Sequence, residues 1–286
     1  MPLDHGVSVS SSVVSMPNRN GEAAPTISII IPTLNEGATL PVCLEALVGQ
    51  SYEGYELLVV DSGSRDGTRE AALARGAKLI DYPGKPMGAR REGFRHAKGQ
   101  FILFLDGDQV LEVNALERVA RTMVEVDMLI LEEGSHRPRG FLQRSIARQR
   151  KAVHQAYHDG KLAPHLYPRV YRRWLLERAY ESISEEKLRE IFVFDDALLF
   201  HKAYAISQQV MMLDHAVLHI EDDNWLSFMR GAYRAGKSRG SVDLGELEGD
   251  PGRAEGAFQW LQRAVKSRSL TMMLVKLFFF RLGARS

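Results

Sequence analysis

The stretch Phe101-Ile-Leu-Phe-Leu-Asp-Gly-Asp108 decides the fold that we predict for this chain of 286 residues. Its first five residues are apolar and include β-branched and aromatic side chains, a run that predicts a buried strand. The strand leads directly into two carboxylates, Asp106 and Asp108. Ligands bind at the carboxyl edge of open α/β sheets, and paired carboxylates suit Mg²⁺ or Mn²⁺. An ordinary strand followed by an Asp-Gly turn has the same pattern, so both interpretations stay open at this point.

The segments upstream repeat the order strand, polar turn and helix. Apolar, β-branched runs at 27–31, 55–60 and 78–82 are each followed by polar residues and then by a helical pattern. This repeat, about every 25 to 30 residues, predicts a mostly parallel, Rossmann-like α/β sheet flanked by helices. Parallel strands end on one edge, so five acidic side chains should meet there, and their mutual repulsion favours a bound cation. They are Glu36, Asp61, Asp66, Asp106 and Asp108.

A basic region follows in the second half of the chain. Residues 136–151 carry many arginines and no acid, and Arg169, Arg172 and Arg173 extend the region. Such a region is either a solvated helix face or a basic wall that meets an anionic acceptor or a diphosphate.

Composition argues against several classes of protein. The net charge of +1 gives no field that would attract nucleic acid. Cys43 is the only cysteine, so neither an intramolecular disulfide nor a cysteine-based zinc site can form. No apolar run reaches the roughly 18 residues of a spanning helix, and the N-terminus lacks the apolar core of a signal peptide. We therefore expect a cytoplasmic protein with no nucleic-acid partner.

Four turns of the chain are similar to those of the family 2 glycosyltransferases, which have the GT-A fold. Each fragment alone is a weak signal, but four in this order and spacing, each after a predicted strand, are specific. The resemblance is firm over 27–131, looser through Ser238 and absent outside these limits. The fragments are Ile29-Ile-Ile-Pro-Thr-Leu-Asn-Glu36, Val59-Val-Asp-Ser-Gly-Ser-Arg-Asp-Gly-Thr68, Gly88-Ala-Arg90 and Phe104-Leu-Asp-Gly-Asp108.

The resemblance implies an enzyme that transfers a sugar from a nucleotide-diphosphate donor with inversion, using Mg²⁺ or Mn²⁺. It implies a metal ligand at Asp108, whereas Asp106 either ligates the ion or contacts the ribose. His219 resembles a further ligand, although a histidine inside an apolar run is also typical of a core. The nucleotide-binding residues that the resemblance implies are Pro32, Thr33, Asn35, Glu36, Asp61, Ser62, Arg90, Asp106 and Gly107.

The pair Asp195-Asp196 resembles the family's Glu-Asp pair, whose second member is the general base. The resemblance therefore implies catalytic roles for Asp196 and Asp195. Aspartate at position 195 departs from the family's glutamate, and Ser62 stands where the family often has a second aspartate, which leaves the contact with the base open. By residue type alone, Asp196 also suits a helix N-cap.

Two other functions and one further motif compete with this interpretation. A nucleotidyltransferase that makes nucleotide-sugars would carry a glycine-rich, basic loop after its first strand, and 31–36 lacks one. A non-catalytic sugar-nucleotide binding protein would not need the pair Asp195-Asp196.

The segment Gly231-Ala-Tyr-Arg-Ala-Gly-Lys-Ser238 fits the P-loop pattern, which requires a strand before it. A helix is predicted there instead, so we predict no P-loop.

The domain organisation follows from these patterns. We expect a flexible leader over 1–25, a glycosyltransferase domain over 26–240, and a linker with a helical extension over 241–286. The domain divides into a nucleotide-binding half, 26–131, and an acceptor half, 132–240. The tail is apolar and basic, and two interpretations stay open. It docks on the sheet or a partner subunit, or it lies on the inner face of an anionic membrane and brings the site to a lipid-linked acceptor, a class that several members of the resembled family use.

Overall fold

The computed structural model of the chain describes residues 26–158, 166–191, 195–221, 223–237 and 270–283. The strands in these ranges are β1 (Ile27–Thr33), β2 (Tyr55–Asp61), β3 (Lys78–Asp81), β4 (Phe101–Phe104), β5 (Gln109–Leu111), β6 (Met128–Ser135), β7 (Val170–Arg172) and β8 (Val210–His219). The helices in the same ranges are α1 (Leu40–Val48), α2 (Thr68–Ala74), α3 (Pro86–His96), α4 (Ala115–Thr122), α5 (Phe141–His158), α6 (Arg173–Glu181), α7 (Glu185–Glu190), α8 (Asp195–Tyr204), α9 (Trp225–Lys237) and α10 (Leu270–Gly283).

The strands form one sheet in the order β3-β2-β1-β4-β7-β6-β8-β5. The four strands β1 to β4 are parallel to one another, as the sequence pattern predicts. β7 runs antiparallel to both β4 and β6, β5 runs antiparallel to β8, and β6 and β8 are parallel. The sheet is therefore parallel where the predicted nucleotide-binding half lies and mixed beyond it.

Alternation along β1 explains how both faces of the sheet are covered. Ile27, Ile29 and Ile31 belong to a core that includes residues of α1 and α4, whereas Ile30 belongs to a second core with α3, α6 and α8. All four isoleucines are fully buried. Successive side chains of a strand point to opposite faces, so a strand that is covered on both faces must be apolar at nearly every position. The β-branched run at 27–31 meets that requirement.

The tail helix α10 packs against α9 and α5. Val275 of α10 packs on a small core in which Leu142 and Ile146 of α5 meet Trp225 and Phe228 of α9. In the described residues the tail is thus docked on the fold, on helices rather than on the sheet. No helix in the described part of the chain combines the length and the apolar character that a bilayer crossing needs.

The P-loop pattern lies within a helix as far as the structure describes it. α9 begins at Trp225 and continues through Lys237, so a helix precedes the pattern where a P-loop requires a strand. The prediction that this segment is not a P-loop is confirmed.

Some predicted segments fall outside the described residues. They are the leader 1–25 and the part of the linker and extension at 241–269, and residues 192–194, directly before the acidic pair, also lie outside the described ranges. Conversely, the structure contains elements that the sequence patterns did not predict, namely β5, β7, α6 and α7.

Candidate active site

The turns that follow β1 and β2 are joined to each other by hydrogen bonds. Asn35 has a left-handed backbone with φ of 58°, which asparagine tolerates well, and its Oδ1 accepts from the Arg65 N–H at 3.0 Å. The Glu36 N–H donates to Thr68 Oγ1 at 2.8 Å. These bonds fix the turn that carries Glu36. Glu36 lies beside the carboxylate motif, since a Cβ atom built on Gly107 would be 3.2 Å from Glu36 Cγ.

Asp61, at the end of β2, is buried and already carries a full set of donors. Its Oδ2 accepts from the N–H groups of Gly63 and Ser64 at 3.2 and 3.0 Å and from Arg69 Nη1 at 3.0 Å. Burial opposes its ionisation, but the hydrogen bonds from Ser64 and Arg69 outweigh burial and lower its pKa. A nucleotide base that contacts Asp61 would have to replace one of these donors.

Asp106, the first member of the carboxylate motif, is held by two arginines. Arg90 Nη2 lies 2.7 Å from Oδ1, and Arg169 Nη1 lies 2.9 Å from Oδ2. Burial opposes ionisation here too, but the guanidinium groups of Arg169 and Arg90 keep the pKa of Asp106 well below its usual range. Both oxygens of Asp106 therefore have charged donors from the protein itself.

The expectation that five converging carboxylates need a cation is wrong for three of them. Asp61 and Asp106 are compensated by arginines, and Asp66 accepts from the Thr68 hydroxyl and from the Gly37 N–H. Glu36 also accepts from the Thr39 hydroxyl at 2.8 Å. Of the five carboxylates, Asp108 is the one with a buried oxygen that has no hydrogen-bond partner in the described part of the chain.

Asp108 has the surroundings of a metal ligand. Its Oδ1 is buried without a hydrogen-bond partner among the described residues. Burial, together with the neighbouring charges of Asp106 and Glu36, outweighs the opposing effect of His219 and raises the pKa of Asp108 to about 6. An unpaired buried carboxylate is costly, and a cation would satisfy it.

His219 presents the ring nitrogen that a metal site would require. Its Nε2 lies 3.5 Å from Asp108 Oδ2, while Nδ1 lies 3.2 Å from the Ile220 carbonyl oxygen and 3.8 Å from Glu221 Oε2. Metal-binding histidines commonly have their second nitrogen held in this way. The described residues contain no group of three or more His, Cys, Asp or Glu side chains placed to enclose a metal ion. An ion held by Asp108 and His219 would take its other ligands from water and substrate phosphates.

The two members of the pair at the start of α8 have different surroundings. Both carboxylates form salt bridges with Arg90. The Asp195 side chain is only 10% exposed, whereas that of Asp196 is 33% exposed and lines a cavity. Asp196 Oδ2 also lies 3.9 Å from Arg169 Nη1. Arg90 and Arg169 therefore connect this pair directly to Asp106.

A chain of partly buried ion pairs continues from Arg169 to the other side of the motif. Arg169 Nη2 lies 3.0 Å from Glu133, Glu133 also pairs with Arg150, and Arg150 Nε lies 3.0 Å from Glu221. Glu221 in turn faces His219. The ion pairs therefore connect Asp106 to His219, which lies next to Asp108, and acidic and basic side chains alternate along the way.

The cavity beside Asp196 has a volume of about 270 Å³. Glu133 and Arg169 line it together with Arg150 of α5 and Lys276 of α10. This places the predicted base in a cavity that the acceptor half and the tail helix build jointly.

Sequence reasoning missed Glu133 and Glu221. Each follows the apolar part of a strand, β6 or β8, which is the same signal that singled out Asp106. Glu133 is ionised at neutral pH, because Arg169 and Arg150 outweigh its burial and lower its pKa.

The basic region matches both interpretations in part. Within 136–151 the solvated-face interpretation holds for the exposed residues Arg137, Arg139, Arg144, Arg148 and Lys151. Arg150 and Arg169 have side chains only 18% and 14% exposed and are held in ion pairs. Arg172 donates to the Val124 carbonyl oxygen, and Arg173 donates to that of Gly99. These arginines hold backbone and carboxylate groups of the fold.

Comparison with known proteins finds a family that part of the chain resembles. Residues 28–154 match the sequence model of the family described as Glycosyl transferase family 2. The match covers less than half of this chain, and residues 28–154 are similar to that family. A relative from Mycobacterium tuberculosis, "PGL/p-HBAD biosynthesis glycosyltransferase", is 42% identical over 106 residues, which are 34% of this chain and 41% of the relative. A second, from Escherichia coli, is 34% identical over 104 residues and matches 35% of this chain and 41% of the relative. The chain thus spans about two fifths of the length of these relatives.

Solved structures confirm the GT-A fold of this chain. A mannosyltransferase from Pyrobaculum calidifontis, in complex with GDP-Man and Mn²⁺, superposes with a TM-score of 0.55 at 18% identity and covers 92% of this chain and 74% of its own. Staphylococcus aureus TarS 1–349, in complex with UDP-GlcNAc, gives 0.53 at 20% identity and covers 84% of this chain and 73% of its own. At these identities the likeness shows the fold alone.

The ion-pair chain yields a stability prediction. Glu133→Gln should lower the free energy of unfolding by about 3 kcal/mol at neutral pH, because it leaves Arg150 and Arg169 without a shared, partly buried counter-charge. Glu132→Gln, one residue away and paired with the exposed His215, is the matched control and should cost about 1 kcal/mol or less. Urea unfolding of both variants measures the difference, and equal costs would contradict a structural role for the chain of pairs.

Proposed function

We propose that this chain is a metal-dependent, inverting glycosyltransferase that moves a sugar from a nucleotide-diphosphate donor to an acceptor hydroxyl. One observation carries the proposal. Arg90 and Arg169 bind both Asp106 of the carboxylate motif and Asp196 of the cavity. A donor at the motif and an acceptor in the cavity would therefore meet across these two arginines.

The reaction assigns a separate task to each side. The acceptor oxygen forms a bond to the anomeric carbon while the bond from that carbon to the β-phosphate oxygen breaks. The hydroxyl proton passes to the Asp196 carboxylate, and the nucleoside diphosphate leaves with the electron pair. A single displacement of this kind inverts the anomeric configuration. Asp195, buried against Arg90, positions Asp196 and does not itself contact the substrate.

Asp108 and His219 are the residues that would hold Mg²⁺ or Mn²⁺. The unpartnered Asp108 oxygen and the oriented His219 nitrogen fit such an ion. When bound, the ion supplies positive charge that stabilises the departing diphosphate. Asp106, saturated by two arginines, is better suited to fix the motif or to contact the ribose than to ligate the ion.

The nucleoside would lie along the joined turns after β1 and β2, on the residues that the family resemblance implies. The donor base and sugar are to be found by screening UDP, GDP, dTDP and their sugars for thermal stabilisation with Mn²⁺. The family 2 match favours sugar transfer over nucleotide-sugar synthesis. Donor turnover with and without Mn²⁺ separates both enzymes from a non-catalytic binding protein.

We also propose that the acceptor belongs to cell-envelope or polysaccharide synthesis and is lipid-linked. The Escherichia coli relative is named "UDP-Glc:alpha-D-GlcNAc-diphosphoundecaprenol beta-1,3-glucosyltransferase", which describes a lipid-linked acceptor for that protein. A lipid-linked substrate would require this chain to work beside the inner face of a membrane.

The metal assignment predicts a pH-dependent affinity for Mn²⁺. Asp108 must be ionised to bind the ion, and its pKa of about 6 means that protons compete below that pH. The dissociation constant for Mn²⁺ should rise by up to about tenfold for each pH unit below 6 and level off above it, as measured by titration calorimetry.

Two variants test the same assignment through activity. Asp108→Asn should lose at least about a hundredfold in transfer activity while remaining folded. Asp214→Asn, on an exposed part of β8, is the control and should keep full activity. Full activity of Asp108→Asn in EDTA would overturn the metal site.

The second prediction of the mechanism concerns the base. Asp196→Asn keeps the shape and removes the proton acceptor, so kcat should fall about 10²-fold or more with donor affinity nearly unchanged. Asp195→Asn should act mainly on thermal stability, since this carboxylate is buried against Arg90. A large loss of kcat in Asp195→Asn but not in Asp196→Asn would show that the roles are exchanged.

The outward face of α10 provides a candidate membrane contact. Leu274, Phe278 and Leu282 are 49%, 63% and 47% exposed and follow one another every four residues, which puts them on one side of the helix. α10 packs on the fold with one side and exposes these apolar residues on another. The helix can therefore dock on the fold and contact lipid at the same time.

Vesicle binding tests this contact. The full chain should co-sediment with vesicles that contain anionic lipid, and less so at high salt. Phe278→Glu should reduce the bound fraction several-fold, whereas Val113→Glu, at a site 72% exposed outside α10, should not. Equal sedimentation of the two variants would exclude α10 as the contact.

A further inference from the structure

The cavity beside Asp196 contains a cation that the catalytic proposal does not use. Lys276 of α10 lines it together with Asp196, Arg150 and Arg169. Lys276 is also the residue through which the tail helix reaches the candidate active site.

The charges around the cavity are compensated except at this position. Arg150 pairs with Glu133 and Glu221, and Arg169 pairs with Glu133 and Asp106. Of these three lining cations, Lys276 alone forms no salt bridge to a described residue. Its side chain is open to the cavity.

The field at Lys276 also favours an incoming anion. Partial desolvation by the surrounding protein and the charge of Arg150 lower the pKa of the otherwise exposed Lys276, and Glu221 only partly opposes them. A group with negative charge would relieve both effects. Phosphate is the anion that a lysine ammonium commonly binds in proteins.

We infer that the acceptor carries a phosphate or diphosphate group, which binds Lys276 while the acceptor hydroxyl lies at Asp196. This inference rests on the proposed function, because it assigns a substrate group to the same cavity. It gives α10 a direct part in acceptor recognition in addition to its packing on α9.

Two sources of the phosphate are distinguishable, a free sugar phosphate and a lipid-linked one. Phe279 and Leu282 of α10 line a second, mainly apolar cavity of about 600 Å³ with Leu226, Met229 and Tyr233 of α9. An apolar chain esterified to a phosphate at Lys276 could lie against this surface. Tighter binding of a prenyl diphosphate than of inorganic diphosphate would identify the lipid-linked source, and equal binding the free one.

Calorimetric titration of the full chain tests the inference without knowledge of the acceptor sugar. Inorganic diphosphate and geranyl diphosphate are the probes, and EDTA prevents their capture by a metal ion. Lys276→Met should weaken binding of both probes at least fivefold, and Lys276→Arg should retain most of the affinity. Arg281→Met removes a charge from an exposed position of the same helix and should change nothing.

Equal affinity of the wild type and Lys276→Met, or no binding of either probe to the wild type at millimolar concentration, would overturn the inference. Failure of the proposed function has a different signature. It would appear as absence of donor turnover by the wild type under all metal conditions, which the diphosphate titration does not measure.

Discussion

The pairing of two buried arginines with carboxylates from distant parts of the chain is the interaction on which the candidate site depends. Arg90 joins Asp106, at the end of β4, to Asp195 and Asp196, at the start of α8. Arg169 binds Asp106 from the opposite side. A buried carboxylate or guanidinium is tolerated only with a partner, so neither the motif nor the acidic pair can move independently of the arginines. The position of the carboxylate motif relative to the acidic pair is thereby set by the two arginines.

This arrangement also determines which charged side chains have no partner of opposite charge. Most carboxylates at the edge of the sheet are matched by donors of the protein, and the matching extends through Glu133, Arg150 and Glu221. Asp108 on one side and Lys276 on the other are not matched in this way. The first favours a cation and the second an anion, so the two sides of the site have opposite electrostatic requirements. A metal-bound donor and a phosphate-bearing acceptor satisfy both.

The position of α10 connects this chemistry with the surroundings of the protein. The helix packs on α9 and α5, contributes Lys276 to the cavity and exposes an apolar stripe on its remaining side. A lipid-linked acceptor has a charged headgroup and an apolar chain. One helix therefore presents suitable groups to both parts of such a molecule.

The sequence by itself determined the parallel half of the sheet and the residues at its edge. The β-branched run of β1 and the carboxylates after β4 are local signals. A strand that is buried on both faces, and a strand that ends at a polar turn, can each be recognised from a few consecutive residues. The tertiary structure alone decided which charges meet. Arg90 and Asp196 are far apart in the chain, and nothing local to either residue specifies the other. The three-residue strands β5 and β7 are too short for a periodic pattern and form only through pairing with β8 and with β4 and β6. Arg150 and Arg169 show the same limit, since residue type predicts a solvated arginine, and only packing against a carboxylate of the fold makes it an interior one.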